Sequence, residues 1–346
     1  MLTHHNSITE FQKVNFNFFS NLNNTIIFLV FLNYGRIVHM ISNKTKRILA
    51  VVLTSVFIFS FALYVFLFFR TSVFQPKEAD ILRKAYPDVL FEFNFDFNKR
   101  DWKVDIHSPV FVNTQDYKHK VFYWAGGRLL PEEELSNKDK YWKLIYPYSK
   151  EIRDPSNFSD DDTKRMGEFG SSKNRKESLG TPMFFYDFIY GAKSQLIIED
   201  HIHHTTFLGK KTRLHERVEA AAKRVESQIY ELAKSDSEVK SFVDSIKSAD
   251  AYYWRIIEGT NRKSFHSYGI AIDILPKRLN GKAIFWSWTK DKDPKNWMRT
   301  PLKDRWMPPL SVIKIFEKEG FIWGGKWIIF DNMHFEYHPE LTLNMK

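Results

Sequence analysis

The hydrophobic pattern separates a uniformly apolar run from an amphipathic remainder. Ile48 to Phe69 is apolar on every side and carries no charge; about 20 such residues cross a bilayer core as a helix. Lys44, Lys46 and Arg47 precede the run and Arg70 follows it. By the positive-inside rule this leaves a short N-terminus, residues 1–47, in the cytoplasm and places everything after the run outside the cytoplasmic membrane. The run is longer than the apolar stretch of a signal peptide, and no small-x-small cleavage site follows it. Residues 48–69 therefore read as an uncleaved single-pass anchor. The earlier stretch "TIIFLVFL" is too short to span, and Met40 offers an alternative start.

From residue 70 to 204 the pattern is less regular. Val89 to Phe97 and Lys120 to Trp124 look like strands, while Glu151 to Pro182 is dense in charge, Ser and Gly and reads as a long exposed linker. No chemical motif stands out in this region. Order improves in residues 205–346. Leu214, Val218, Ala221, Val225, Ile229 and Leu232 recur at helical steps, as do Val239, Phe242, Val243 and Ile246. A third helix is predicted from Pro309 to Glu319, ended by Gly320. Strands are predicted at Tyr252–Ile257, Ile270–Ile274, Ile328–Phe330 and His334–Tyr337. Helices first and strands late indicate an α+β domain with a central antiparallel sheet.

Composition narrows the chemistry. Among 346 residues there is no cysteine, which excludes disulfides, thiolate metal sites and thiol nucleophiles. Any metal must be held by His and carboxylates. The 51 basic and 41 acidic residues leave a charge of +10, suited to an anionic polymer, but the excess is dispersed and no recognition motif accompanies it, which argues against nucleic acid.

Within "SFHSYGIAIDILP" an aspartate stands in the middle of an apolar strand. Alternation sends Ile270, Ile272 and Ile274 to one face and Ala271 and Asp273 to the other. A buried carboxylate needs a partner, and His266 can return toward Asp273 through a sharp turn at Gly269. "FDNMHFEYHPE" adds His334, with Asp331 three residues earlier. Two His and one carboxylate leave a zinc position open, as catalytic sites do, and Asp331 is placed to act as general base. Taken one at a time, each residue is more often a structural His or a turn Asp than a ligand.

The combination resembles a known family. "SFHSYGIAID" matches the Ser-x-His-x-x-Gly-x-Ala-x-Asp pattern of zinc D-alanyl-D-alanine carboxypeptidases and dipeptidases of the VanY and VanX type. "FIWGGKWIIFDNMHFE" is similar to the Trp-Gly-Gly-x-Trp and Asp-x-x-His-Phe-Glu segment of L-alanyl-D-glutamate endopeptidases, including phage endolysins. The resemblance covers about residues 205–345. It implies a Hedgehog/D-alanyl-D-alanine peptidase fold, Zn2+ held by His266, Asp273 and His334, and peptidoglycan stem peptides as substrate. It also implies that the acid three residues before the last His is the base: Asp331, with Glu336 as competitor because it shares a strand face with His334. An Asp here instead of Glu points to the endopeptidase branch. The family's Arg, set on a strand before the motif, corresponds best to Arg255, with Arg262 as alternative. Ser264 suits an outer position that orients a ligand, and Trp323 and Trp327 suit the cleft wall, although core packing explains them nearly as well. The four tryptophans between Leu275 and Pro309 are expected to shape or cover the cleft. Two readings compete with the endopeptidase: a D,D-carboxypeptidase and a non-catalytic zinc-containing wall-binding module.

Two features remain outside that frame. "DHIHH" puts His201 and His203 on one face of an extended chain with His215 beyond, a spacing that can bind metal adventitiously. Lys210, Lys211 and Arg213 could meet an anionic wall, or be only solvated.

Overall fold

In the computed structural model of the protein, residues 43–72, 75–112 and 114–345 are described. The Met40 start and most of the expected cytoplasmic segment lie outside them. Contacts divide the chain at residues 73 and 74 into two units. The first contains helix α1 (Asn43–Ser72), 30 residues long and so about 45 Å. Its stretch Asn43–Phe66 is long and apolar enough to cross a membrane, and its apolar side chains, from Ile48 to Phe66, are largely exposed within the chain. A helix without an apolar stripe has no preferred face to bury against a protein core.

The second unit, residues 74–346, begins with helix α2 (Glu78–Ala85) and an antiparallel meander of β1 (Leu90–Asp96), β2 (Asp101–Pro109) and β3 (Tyr117–Tyr123). Phe91 and Phe93 alternate with exposed Leu90 and Glu92, the period of a strand with one wet face. The stretch expected to be a bare linker is instead helical: α3 (Asp160–Phe169) and α4 (Ser172–Glu177) lie in it. The signal was local and was masked by the charge density. Ser159 and Asp162 make a reciprocal capping box at the start of α3, and Ser171 caps α4. Short helices α5 (Phe184–Ile189) and α6 (Gln195–Glu199) lead into a hairpin of β4 (Ile202–Phe207) and β5 (Lys210–His215).

Helix α7 (Glu216–Ala233) buries Val218, Ala221, Val225 and Ile229 as the periodicity predicts, and α8 (Ser237–Ser245) follows. A four-stranded antiparallel sheet then forms from β6 (Ile246–Asp250), β7 (Ala271–Pro276), β8 (Phe321–Trp323) and β9 (His334–Tyr337), in the order β6-β7-β9-β8. Helix α10 (Leu310–Lys318) packs on it, preceded by α9 (Trp286–Lys292) and followed at the chain end by α11 (Pro339–Thr342). The α+β class with antiparallel sheets is therefore observed. Two expected strands are not: Tyr252–Ile257 is irregular apart from a single bridge from Ile256 to Lys263, and Ile328–Phe330 is a bend, its place in the sheet taken by β8. Tyr252–Ile257 instead spends its backbone groups on the motif loop, where Ser267 Oγ accepts from Arg255 N.

One apolar core runs from Ala79 through the meander, α7 and the four-stranded sheet to Leu341. A second, small core of Trp286, Trp297 and Phe330 lies in the tryptophan-rich insertion.

Candidate metal centre

Strand register brings the candidate ligands together. Asp273 on β7 stands directly opposite His334 on β9, and cross-strand partners present their side chains on the same face, about 5 Å apart. His266 arrives from a short 3-10 turn, Phe265–Tyr268, that Gly269 closes at φ +64°. A Cβ at that position would lie 2.6 Å from Ile202 Cδ1 and 2.9 Å from His215 N, so both space and dihedral call for glycine. Ser264 caps the turn, its Oγ accepting from His266 N at 3.3 Å. It thus acts on the backbone that carries His266.

Three donor atoms converge. His266 Nε2 lies 3.3 Å from His334 Nδ1 and 3.2 Å from Asp273 Oδ2, and His334 Nδ1 lies 2.7 Å from Asp273 Oδ1. Ligands held at 2.0–2.1 Å by a tetrahedral ion lie about 3.3 Å apart. The outward nitrogens are already engaged. His266 Nδ1 donates to the Ala251 carbonyl at 2.5 Å, leaving the Nε2 lone pair for an ion, and His334 Nε2 donates to Glu336 Oε1 at 2.8 Å, which prepares Nδ1. Burial works against ionising either His334 or Asp273, but each overrides it for the other: Asp273 is held well below the usual carboxylate range and His334 well above the usual histidine range. Two imidazole nitrogens and one carboxylate oxygen at this spacing form a donor set that fits a divalent ion. His266, Asp273 and His334 are the one such group among the described residues.

Asp331 follows the Trp-Gly-Gly segment. A Cβ on Gly324 would fall 2.6 Å from the Asp331 carbonyl oxygen, and one on Gly325 would fall 2.2 Å from the Trp323 ring. The paired glycines let the two segments touch. Asp331 Oδ1 is buried with no hydrogen-bond partner. Burial, reinforced by Asp273 and Glu336 and opposed by His334, raises its carboxyl to about 7. Glu336, by contrast, is engaged behind His334 and held at about 2 against the effect of burial by the bond from His334 and the nearby His338 ring. The two acids, Asp331 in the turn before β9 and Glu336 on the strand, thus differ in their partners: Glu336 Oε1 accepts from His334 Nε2, while Asp331 Oδ1 meets no donor.

A cleft of about 530 Å³ opens on the site, lined by His266, Asp273, Arg255, Tyr253, Lys211 and Arg213 among others. Arg255 reaches this cleft; Arg262 does not, since its guanidinium donates to the Leu179 and Arg175 carbonyls. Trp323 is wholly buried, with Nε1 bonded to the Asn332 carbonyl, and is core rather than cleft wall. Trp327 sits with its ring 5.4 Å from that of His334 and lines a separate cavity. The insertion does not line the cleft. It brackets the Asp331 turn, with Phe285 bridged to Asp331 and Asn332 N donating to the Ile284 carbonyl.

The "DHIHH" histidines diverge. His201 pairs with Glu216, His203 with Glu219, and His215 holds the Tyr190 carbonyl while accepting from Arg217 N.

Residues 258–337, which carry both motifs, match the family model described as D-alanyl-D-alanine carboxypeptidase. Residues 78–146 match a second model, described as a domain of unknown function. No curated protein and no solved structure matches the chain.

Proposed function

We propose that the protein is a membrane-anchored zinc metallopeptidase that hydrolyses a peptide bond in peptidoglycan stem peptides outside the cytoplasmic membrane. The observation that carries this reading is the convergence of His266 Nε2, His334 Nδ1 and Asp273 at tetrahedral-edge spacing, beside a cleft that His266 and Asp273 line together with Lys211, Arg213 and Arg255. When bound, zinc supplies Lewis acidity toward a water and the scissile carbonyl. Asp331 takes the proton of the attacking water: its Oδ1 is an acceptor without a partner, and a carboxyl raised to about 7 is matched to that task. Arg255 meets the oxyanion that develops as the carbonyl is attacked, a role suited to a fixed guanidinium fork at the cleft. Asp331 then returns its proton to the leaving amine. Lys211 and Arg213 give the cleft the sign needed to hold an acidic stem peptide.

The Asp at position 331 favours an endopeptidase of the L-alanyl-D-glutamate type. The matched family description favours the second reading, a D,D-carboxypeptidase. Mass spectrometry of defined muropeptides separates them. An endopeptidase cleaves a stem peptide whether or not its C-terminus is amidated, whereas a carboxypeptidase is silenced by amidation. Zinc binding without cleavage of either substrate would leave a wall-binding module and sink the enzymatic reading.

A further inference from the structure

His334 and Glu336 share one face of β9, and His338, just past the strand end, and Glu340, in α11, lie beyond them. Together they make a buried chain. His334 Nε2 donates to Glu336 Oε1 at 2.8 Å, and Glu336 Oε2 lies 3.3 Å from His338 Nε2, in ion-pair range though not aligned for a hydrogen bond. His338 Nδ1 donates to Glu340 Oε1 at 2.8 Å. Two hydroxyls then close the chain: Tyr186 donates to Glu340 Oε1 at 2.7 Å and Tyr86 to Glu340 Oε2 at 2.6 Å. Glu340 is 0 % exposed and His338 2 %. Apolar residues of similar volume commonly pack such a position at equal or better stability, so a wholly buried ionic chain calls for an account beyond stability.

The path supplies one. A metal-binding imidazole is aimed by the partner of its other nitrogen, here Glu336. A carboxylate torsion is soft, so Glu336 is better fixed if its second oxygen is also held, and the His338 ring attracts it at ion-pair distance. His338 in turn is fixed by Glu340, and Glu340 by the two tyrosines. Glu340 is held below the usual carboxylate range despite its burial, and His338 is raised to about 9 against its own burial, chiefly by Glu340, so the chain alternates in sign. Tyr86 directly follows α2 and lies within residues 78–146, while His338 and Glu340 fall beyond the matched peptidase segment.

We propose that His338, Glu340, Tyr186 and Tyr86 are positioning residues of the metal centre, through which the region 78–146 becomes part of the ion's outer support. The inference rests on the metal reading of the site. The test is zinc affinity of the full chain in detergent, measured by competition with a chromophoric chelator, with the absorption spectrum of the cobalt-loaded protein as a second readout. Glu336→Gln weakens zinc binding about 10- to 100-fold, the usual effect of an outer partner, and Tyr86→Phe by about three- to tenfold, with a shifted cobalt spectrum. The control is Tyr148→Phe, which removes an equally short 2.6 Å hydroxyl–carboxylate bond, to Glu317, outside the chain. It lowers thermal stability and leaves zinc affinity within about twofold. Wild-type affinity in Tyr86→Phe, or an equal loss in Tyr148→Phe, overturns the proposal. Should Tyr86→Phe fail to fold, Tyr186→Phe interrogates the same carboxylate through its other oxygen. A wild-type chain that binds no zinc overturns this proposal and the metal reading together, whereas zinc binding that ignores Tyr86 overturns this one alone.

Discussion

Two groups of histidines in this chain have similar residue types and opposite geometry. Around β4 and β5, His201, His203 and His215 each hold a different partner and share no carboxylate, even though the rings of His201 and His215 stack at 5.5 Å. Around β7 and β9, His266 and His334 aim one nitrogen each at the same carboxylate, Asp273. The count of histidines is higher in the first group, yet only the second can surround an ion. Convergence comes from register: Asp273 faces His334 across the sheet, while His201, His203 and His215 find their partners on α7, at its entrance and in the Tyr190 carbonyl.

The strongest way to break this comparison is to remove a ligand from each group. Asp273→Asn or His266→Ala abolishes stoichiometric zinc in the dialysed full chain, read by elemental analysis, while His201→Ala leaves one zinc per chain. Loss of zinc from His201→Ala alone would reverse the assignment. Next in size is Asp331→Asn, which lowers kcat/KM on a cleaved muropeptide by about 10²- to 10⁴-fold with zinc retained. Turnover requires Asp331 ionised, so wild-type kcat/KM rises with pH up to about 7, and the charge of a bound ion can only move that limb lower.

The same residue makes a stability prediction of opposite sign. Because burial raises its carboxyl to about 7, the native metal-free chain holds a proton that the unfolded chain loses near pH 4. Stability therefore falls as pH rises from about 4 to about 7. Asp331→Asn removes that penalty and stabilises the metal-free protein at pH 8 by up to about 4 kcal/mol in denaturant titration; destabilisation would mean the ionised carboxylate is compensated in solution. Arg255→Gln costs about 10²-fold in kcat, whereas Arg262→Gln, whose bonds go to backbone carbonyls, changes stability more than kcat. The smallest contrast lies among the divergent histidines. His215→Ala loses a buried cap and a carbonyl bond, about 2 kcal/mol, and His203→Ala, on the exposed face, about 0.5 kcal/mol or less. Neither changes zinc content.

Much of the site was legible before the fold. The spacing of His266, Gly269 and Asp273 announced a turn followed by a strand, and Gly269 does adopt the left-handed conformation that turn requires. The amphipathic steps of α7 and α10 were equally readable, because helix faces repeat locally. The capping box at Ser159 and the cap at Ser171 were also local, but the surrounding charge made the stretch look like solvent-exposed coil. Glu336 and Asp331 could not be ranked from spacing alone, since both are acids near His334. Their difference lies in what each oxygen meets: a donated bond for Glu336 and nothing for Asp331 Oδ1.

By itself, then, the amino-acid order determined an apolar helix able to span a membrane, an α+β remainder and the residues able to ligate an ion, because periodicity, turn chemistry and donor type are properties of neighbours in sequence. Tertiary structure alone decided that Arg255 and not Arg262 enters the cleft, that Trp323 is core, and that Glu340 meets Tyr86 across 254 positions of chain. Such choices depend on which distant groups share a buried, low-dielectric space, where an unpaired charge is costly and a paired one is held in place.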